Sequence, residues 1–126
     1  MSEPIARKKR ILVVDDEPLV CEAIGMMLAF DGYEVVAASN GKEALVLFER
    51  DVFDLVVTDY TMPGMKGDEL ALAIKARAPG QPVIMITAHA ELLRASSAPL
   101  MGVDQIVSKP FQFQDIREAI QKTSAR

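Results

Sequence analysis

Five short apolar runs, each separated from the next by a longer segment, constrain this chain more than any other feature. They are Ile11-Leu12-Val13-Val14, Glu34-Val35-Val36-Ala37-Ala38, Leu55-Val56-Val57-Thr58, Val83-Ile84-Met85-Ile86 and Gln105-Ile106-Val107-Ser108. Most are rich in β-branched residues and apolar at successive positions, as strands covered on both faces of a parallel sheet must be. The segments between them carry helical spacing, so strands alternate with helices, the pattern of an α/β fold. The first helix is expected from Pro18, whose missing N–H costs little in a first turn, to Phe30. Leu19, Val20, Ala23, Met27 and Leu28 recur along it, and Asp31-Gly32 supplies its stop. Asn40-Gly41 reads as a turn or cap before a helix over Lys42 to Glu49, with Ala44, Leu45 and Phe48 facing inward. Tyr60 to Gly67, with a proline and two glycines, is a loop, and Asp68 to Ala78 a helix ended by Pro79-Gly80-Gln81-Pro82. Gln112 to Gln121 is the last helix. Glu91 to Ser97 is expected to be short or irregular, because Pro99 breaks a longer helix and Ser96-Ser97 favours fraying.

A chain of 126 residues holds one domain, and with half of them hydrophobic it can bury a core without disulfides or metal staples. The expected division is an arm over 1–9, the folded domain over 10–122 and a tail over 123–126. The initial Met and the short tail suggest a complete chain, with an excised domain as the alternative that the sequence leaves open. Fourteen basic against 18 acidic residues give a net charge of −4, which argues against direct nucleic-acid binding, where clustered Lys and Arg are needed. The basic run Arg7-Lys8-Lys9-Arg10 reads as a solvated arm. Cys21 is the single cysteine and, in an apolar helix, a small core residue. No stretch is long and apolar enough to span a membrane and no signal peptide opens the chain, so membrane insertion is not expected and a cytoplasmic location is.

Chemically reactive polar residues gather at the carboxyl ends of the expected strands. Asp15 and Asp16 follow the first, Asp59 the third, Thr87 the fourth and Lys109 the fifth. In an open parallel sheet these ends form one edge, where ligands bind at the switch point. A flavodoxin-like doubly wound sheet of five strands, (βα)5 in the order 2-1-3-4-5, makes the first and third strands neighbours, so three carboxylates converge. Crowded like charges call for a cation, and Mg²⁺ suits a few carboxylate oxygens while leaving positions for phosphate oxygen. Lys109 adds a fixed positive charge and Thr87 a hydroxyl, a set able to stabilise a phosphoryl group on Asp59.

These residues lie in four stretches: Ile11-Leu12-Val13-Val14-Asp15-Asp16-Glu17; Asp54 to Asp59 followed by Met62-Pro63-Gly64-Met65 and Gly67; Thr87-Ala88; and Ser108-Lys109-Pro110-Phe111. With them the chain resembles, from Arg10 to about Gln121, the CheY-like receiver domains of two-component response regulators. The resemblance implies that Asp59 is the phosphoacceptor, that Asp16, Asp59 and the Thr61 backbone carbonyl bind Mg²⁺ directly, and that Asp15 acts through a metal-bound water. It implies Thr87 as the switch hydroxyl and Lys109 as the phosphate holder, helped by a cis Lys109-Pro110 bond. The phosphoryl donor would be a histidine kinase or a histidine phosphotransfer protein, and the output contact with a downstream protein whose identity the sequence does not reveal. The chain would be a phosphoacceptor that assists its own phosphorylation and dephosphorylation, not an enzyme on a separate substrate.

Other readings stand beside this one. Asp15, Asp16 and Glu17 complement a helix dipole, Asp59 caps a loop and Lys109 is a solvated charge in a receiver-like interaction module that works without phosphorylation. A dehalogenase-type aspartyl phosphatase would need a second aspartate two residues after the nucleophile, where this chain has Thr61. His89, the only histidine, reads as an exposed residue at the rim of the site. Three residues depart from the family pattern. Ile106 replaces a frequent aromatic, Pro99 disrupts the fourth helix, and Lys66 puts a positive charge where an acid or Asn is frequent.

Overall fold

The computed structural model describes residues 8–95 and 102–124. Its strands are β1 (Arg10–Val14), β2 (Glu34–Ala38), β3 (Leu55–Asp59), β4 (Val83–Thr87) and β5 (Gln105–Ser108). They form one sheet, parallel throughout, in the order β2-β1-β3-β4-β5. Helices α1 (Pro18–Phe30), α2 (Gly41–Arg50), α3 (Gly67–Arg77), α4 (Ala90–Ala95) and α5 (Phe113–Ser124) connect and flank the strands. The expected flavodoxin-like order is therefore the order observed.

Alternation along β1 divides the core in two. Ile11 and Val13 pack on one face with Ile24, Leu28, Ile116 and Ile120. Leu12 and Val14 pack on the other with Ala44, Leu70 and Ile74. Ile11 to Val14 are all buried, which is why the run shows no polar face. The Asn40 side chain caps α2 by accepting from the Glu43 N–H at 2.8 Å, and the Glu43 carboxylate accepts from the Ser39 N–H at 2.7 Å. Each cap satisfies a donor at the helix start, worth ~1 kcal/mol.

Three expectations are corrected. Arg10 is the first residue of β1 and not part of a solvated arm: its guanidinium lies 3.3 Å from Asp51 and 3.5 Å from Glu34, over the Phe53 ring. On α1, Leu19 and Ala23 face solvent, while Ile24 and Leu28 are the buried residues. Only Glu22 is charged among its 13 residues, so spacing alone did not identify the inner face. Cys21 is half-buried, packed against the core without being enclosed in it. Helix α4 is described from Ala90 to Ala95, where the described stretch ends. Ser96, Ser97 and Pro99 lie outside the described residues, as do 1–7 of the arm and 125–126 of the tail.

Candidate functional site

The site is built on the ends of three neighbouring strands. Asp15 follows β1, and its N–H donates to the Ala38 carbonyl at 3.1 Å, carrying the ladder one residue past the strand. Asp59 is the last residue of β3, and the next N–H, of Tyr60, donates to the Ile86 carbonyl of β4 at 3.1 Å. Rigid strand ends fix both carboxylates. Asp15 is 3 % exposed and Asp59 7 %, whereas Asp16 turns out to solvent. Oxygens of the three nevertheless lie within 4.8 Å of one another.

Lys109 reaches into this group from the end of β5. Its Nζ lies 2.9 Å from Asp59 Oδ1 and 3.8 Å from Asp15 Oδ2. The Lys109-Pro110 peptide is cis. Thr87, at the end of β4, is buried, and its Oγ1 accepts from the His89 N–H at 3.0 Å. That contact uses an oxygen lone pair and leaves the hydroxyl proton available to an incoming oxygen. His89 itself is exposed, and Thr61 is exposed in the loop after β3.

The electrostatics are those of an acidic pocket short of positive charge. Burial pushes the Asp15 carboxyl up to about 6; the Glu17 N–H, 2.9 Å from Oδ1, works against this, the Asp59 charge adds to it, and Lys109 opposes it. Burial alone would lower the Lys109 ammonium, but the hydrogen bond and charge of Asp59, with Asp15 behind, hold it above the usual lysine range. Burial and the Asp15 charge raise the Cys21 thiol, which donates to the Asp15 carbonyl at 3.4 Å. One ammonium among three carboxylates leaves net negative charge in a confined space. An oxygen-only donor set of this kind fits a hard divalent cation such as Mg²⁺.

Sequence reasoning missed two supports. A Cβ at Gly67 would lie 2.2 Å from the Asp59 carbonyl oxygen, and the Gly67 N–H donates to the Tyr60 carbonyl at 2.9 Å. Only glycine lets α3 start this close to the phosphoacceptor candidate. Gly67 stands in the motif that carries the resemblance, but a sequence does not show which backbone it packs against. The other support is the Glu17 N–H that grips Asp15, invisible because it is a backbone donor.

Residues 11–121 match the family described as the response regulator receiver domain. The chain belongs to that family. It is 37 % identical over 110 residues to the transcriptional regulatory protein GlrR of Escherichia coli K12, an alignment covering 87 % of this chain and 25 % of that protein. This receiver spans about a quarter to a half of the length of the curated relatives it matches. Among solved structures, a receiver domain protein from Clostridium thermocellum superposes with a TM-score of 0.85 at 35 % identity, covering 94 % of this chain and 95 % of that one. The response regulator TrrA of Thermotoga maritima, solved in complex with Mg(2+)-BeF, superposes with a TM-score of 0.82 at 38 % identity, covering 91 % and 98 %. TrrA has also been solved in complex with the histidine kinase ThkA. No helix among the described residues of the receiver is long and apolar enough to cross a membrane.

Proposed function

We propose that this receiver accepts a phosphoryl group on Asp59 from a histidine kinase or histidine phosphotransfer protein, in a step that requires Mg²⁺, and signals through phosphorylation-dependent protein contacts. The observation that carries this reading is the Lys109 ammonium 2.9 Å from Asp59 Oδ1, in a site where Asp15 and Asp16 also bring their oxygens within 4.8 Å. A module that only binds a partner has no use for a buried, crowded acidic group matched to a lysine. The structures of TrrA with Mg(2+)-BeF and with ThkA give the same reading support from a relative.

In this reading a carboxylate oxygen of Asp59 attacks the donor's phosphorus, the bond from phosphorus to the donor's nitrogen or oxygen breaks, and the electron pair leaves with the donor. Asp15, Asp16, Asp59 and the Thr61 carbonyl would hold the metal. What the ion supplies when bound is neutralisation of charge on the transferring oxygens. Lys109 exchanges its contact with the Asp59 carboxylate for one with a phosphoryl oxygen, retaining a charge-assisted hydrogen bond throughout. Thr87, its hydroxyl proton uncommitted, donates to another. Strands β1, β3 and β4 hold the groups in place before the donor arrives, so little reorganisation is left for the reaction. The chain acts as phosphoacceptor and as helper in its own phosphorylation and hydrolysis, in the cytoplasm.

The chemical identity of the product tests this. Treatment with acetyl phosphate and Mg²⁺, then with hydroxylamine, converts an acyl phosphate to a hydroxamate, and peptide masses should place it at Asp59. A phosphoryl group that survives hydroxylamine, as a Ser or Thr ester does, contradicts the reading.

A further inference from the structure

Lys66 is the only charged residue between Asp59 and α3, and the chemistry described so far does not use it. Its position is fixed from both sides. The next residue, Gly67, packs so closely on the Asp59 carbonyl that a Cβ there would lie 2.2 Å from the oxygen. The Lys66 N–H donates to the Glu69 carboxylate at 3.2 Å, and the Lys66 ammonium lies 5.9 Å from the centroid of the Tyr60 ring, the residue after Asp59. The side chain is thus folded over the phosphoacceptor loop while the residue stays exposed. Among the described residues no carboxylate pairs with its ammonium. Lys109, by contrast, is half-buried and engaged with Asp59.

An anionic donor approaching this edge meets Asp15, Asp16 and Asp59 before it can use Lys109. An unpaired, solvent-facing cation beside the loop lowers that barrier, and at ~0.01 M ionic strength its field extends about 30 Å. We propose that Lys66 is a steering charge that speeds capture of anionic phosphodonors by Asp59 and favours dianionic donors over those of lower charge. This rests on the phosphoacceptor reading above and names the donor class that the site favours.

The test compares the wild-type chain with Lys66→Gln, Lys66→Glu and Lys66→Arg. At ~0.01 M ionic strength the second-order rate constant for acetyl phosphate, a dianion, should fall about threefold in Lys66→Gln and further in Lys66→Glu, stay near wild type in Lys66→Arg, and converge for all four at ~0.5 M. The loss should be smaller with phosphoramidate, whose net charge at neutral pH is about half as large. The same field acts with opposite sign on a cation, so Mg²⁺ affinity by calorimetry should rise in Lys66→Gln and Lys66→Glu. A damaged site would lose on both counts. If the wild type phosphorylates and Lys66→Gln matches it at low salt, or if rate and Mg²⁺ affinity fall together, the steering role is overturned while the phosphoacceptor reading stands. A wild-type chain that takes up no phosphoryl group overturns both.

Discussion

The Lys109 backbone N–H donates to the Thr87 carbonyl at 2.8 Å, so the two residues that would meet a phosphoryl group from the β4–β5 side are joined by the sheet ladder itself. Thr87 also sits opposite Ser108 in the register of β4 and β5. The lysine is held at both ends, by this backbone bond and by its ammonium on Asp59. Replacing Lys109 with Ala leaves the ladder intact and removes the ammonium together with its aliphatic stem. The expected outcome is an unchanged far-ultraviolet circular dichroism spectrum, with phosphorylation by acetyl phosphate slowed at least roughly tenfold, as for loss of one charged donor to a transition state.

Asp15 gives a pH-dependent stability with a defined sign. Its carboxyl is raised from 3.8 in the unfolded chain to about 6 in the fold. The folded state therefore binds the extra proton, and the stability this confers is fully present below the unfolded value and lost as pH rises through about 6. In metal-free protein at pH 8, Asp15→Asn should raise the unfolding free energy by up to about 3 kcal/mol, with the gain shrinking towards pH 4. Urea titrations of both chains at the two pH values check this.

Gly67 is a packing prediction. A methyl group cannot enter the space between α3 and the Asp59 carbonyl without moving backbone. Gly67→Ala should destabilise the chain by about 1–3 kcal/mol and slow phosphorylation, because the strain falls on Asp59, the proposed phosphoacceptor. Gly80→Ala is the control, as no heavy atom lies within 4 Å of a Cβ placed there.

How much of this was legible beforehand depended on what each residue type encodes. β1, β3 and β4 were readable because β-branched runs buried on both faces have few alternatives, β2 and β5 because shorter β-branched runs recur at similar spacing, and the strand-end aspartates because their positions follow from the strands. The outer face of α1 was not, since Leu19 and Ala23 have the same spacing as the core residues and one charge in 13 positions does not orient a helix. Nor was the difference between adjacent Asp15 and Asp16, one buried and one exposed, which arises only as the chain turns from β1 into α1. Arg10 was misread because a run of four basic residues looks uniform, while the partners that draw Arg10 inward, Glu34, Asp51 and Phe53, lie far along the chain.

His89 bears on the lifetime of the modification. Its N–H is held by Thr87 Oγ1 and its side chain is exposed at the rim of the site, where hydrolytic water would enter. An imidazole there either obstructs or orients that water; with no carboxylate or amide at Thr61 or His89, obstruction is the expected effect. His89→Ala should shorten the phosphorylated lifetime by about two- to fivefold, equivalent to ~0.4–1 kcal/mol of barrier. Decay of the phosphorylated mass after donor removal measures it, and an unchanged lifetime would show that His89 takes no part.

The central claim is that Asp59 receives the phosphoryl group and needs a divalent cation to do so. Intact-mass measurement after incubation with acetyl phosphate tests it most directly, on the wild type with Mg²⁺, the wild type with a chelator, and Asp59→Asn with Mg²⁺. The expected result is a single phosphoryl increment in the first sample and none in the other two. An increment that persists in Asp59→Asn, or that forms equally well with the chelator, would contradict it.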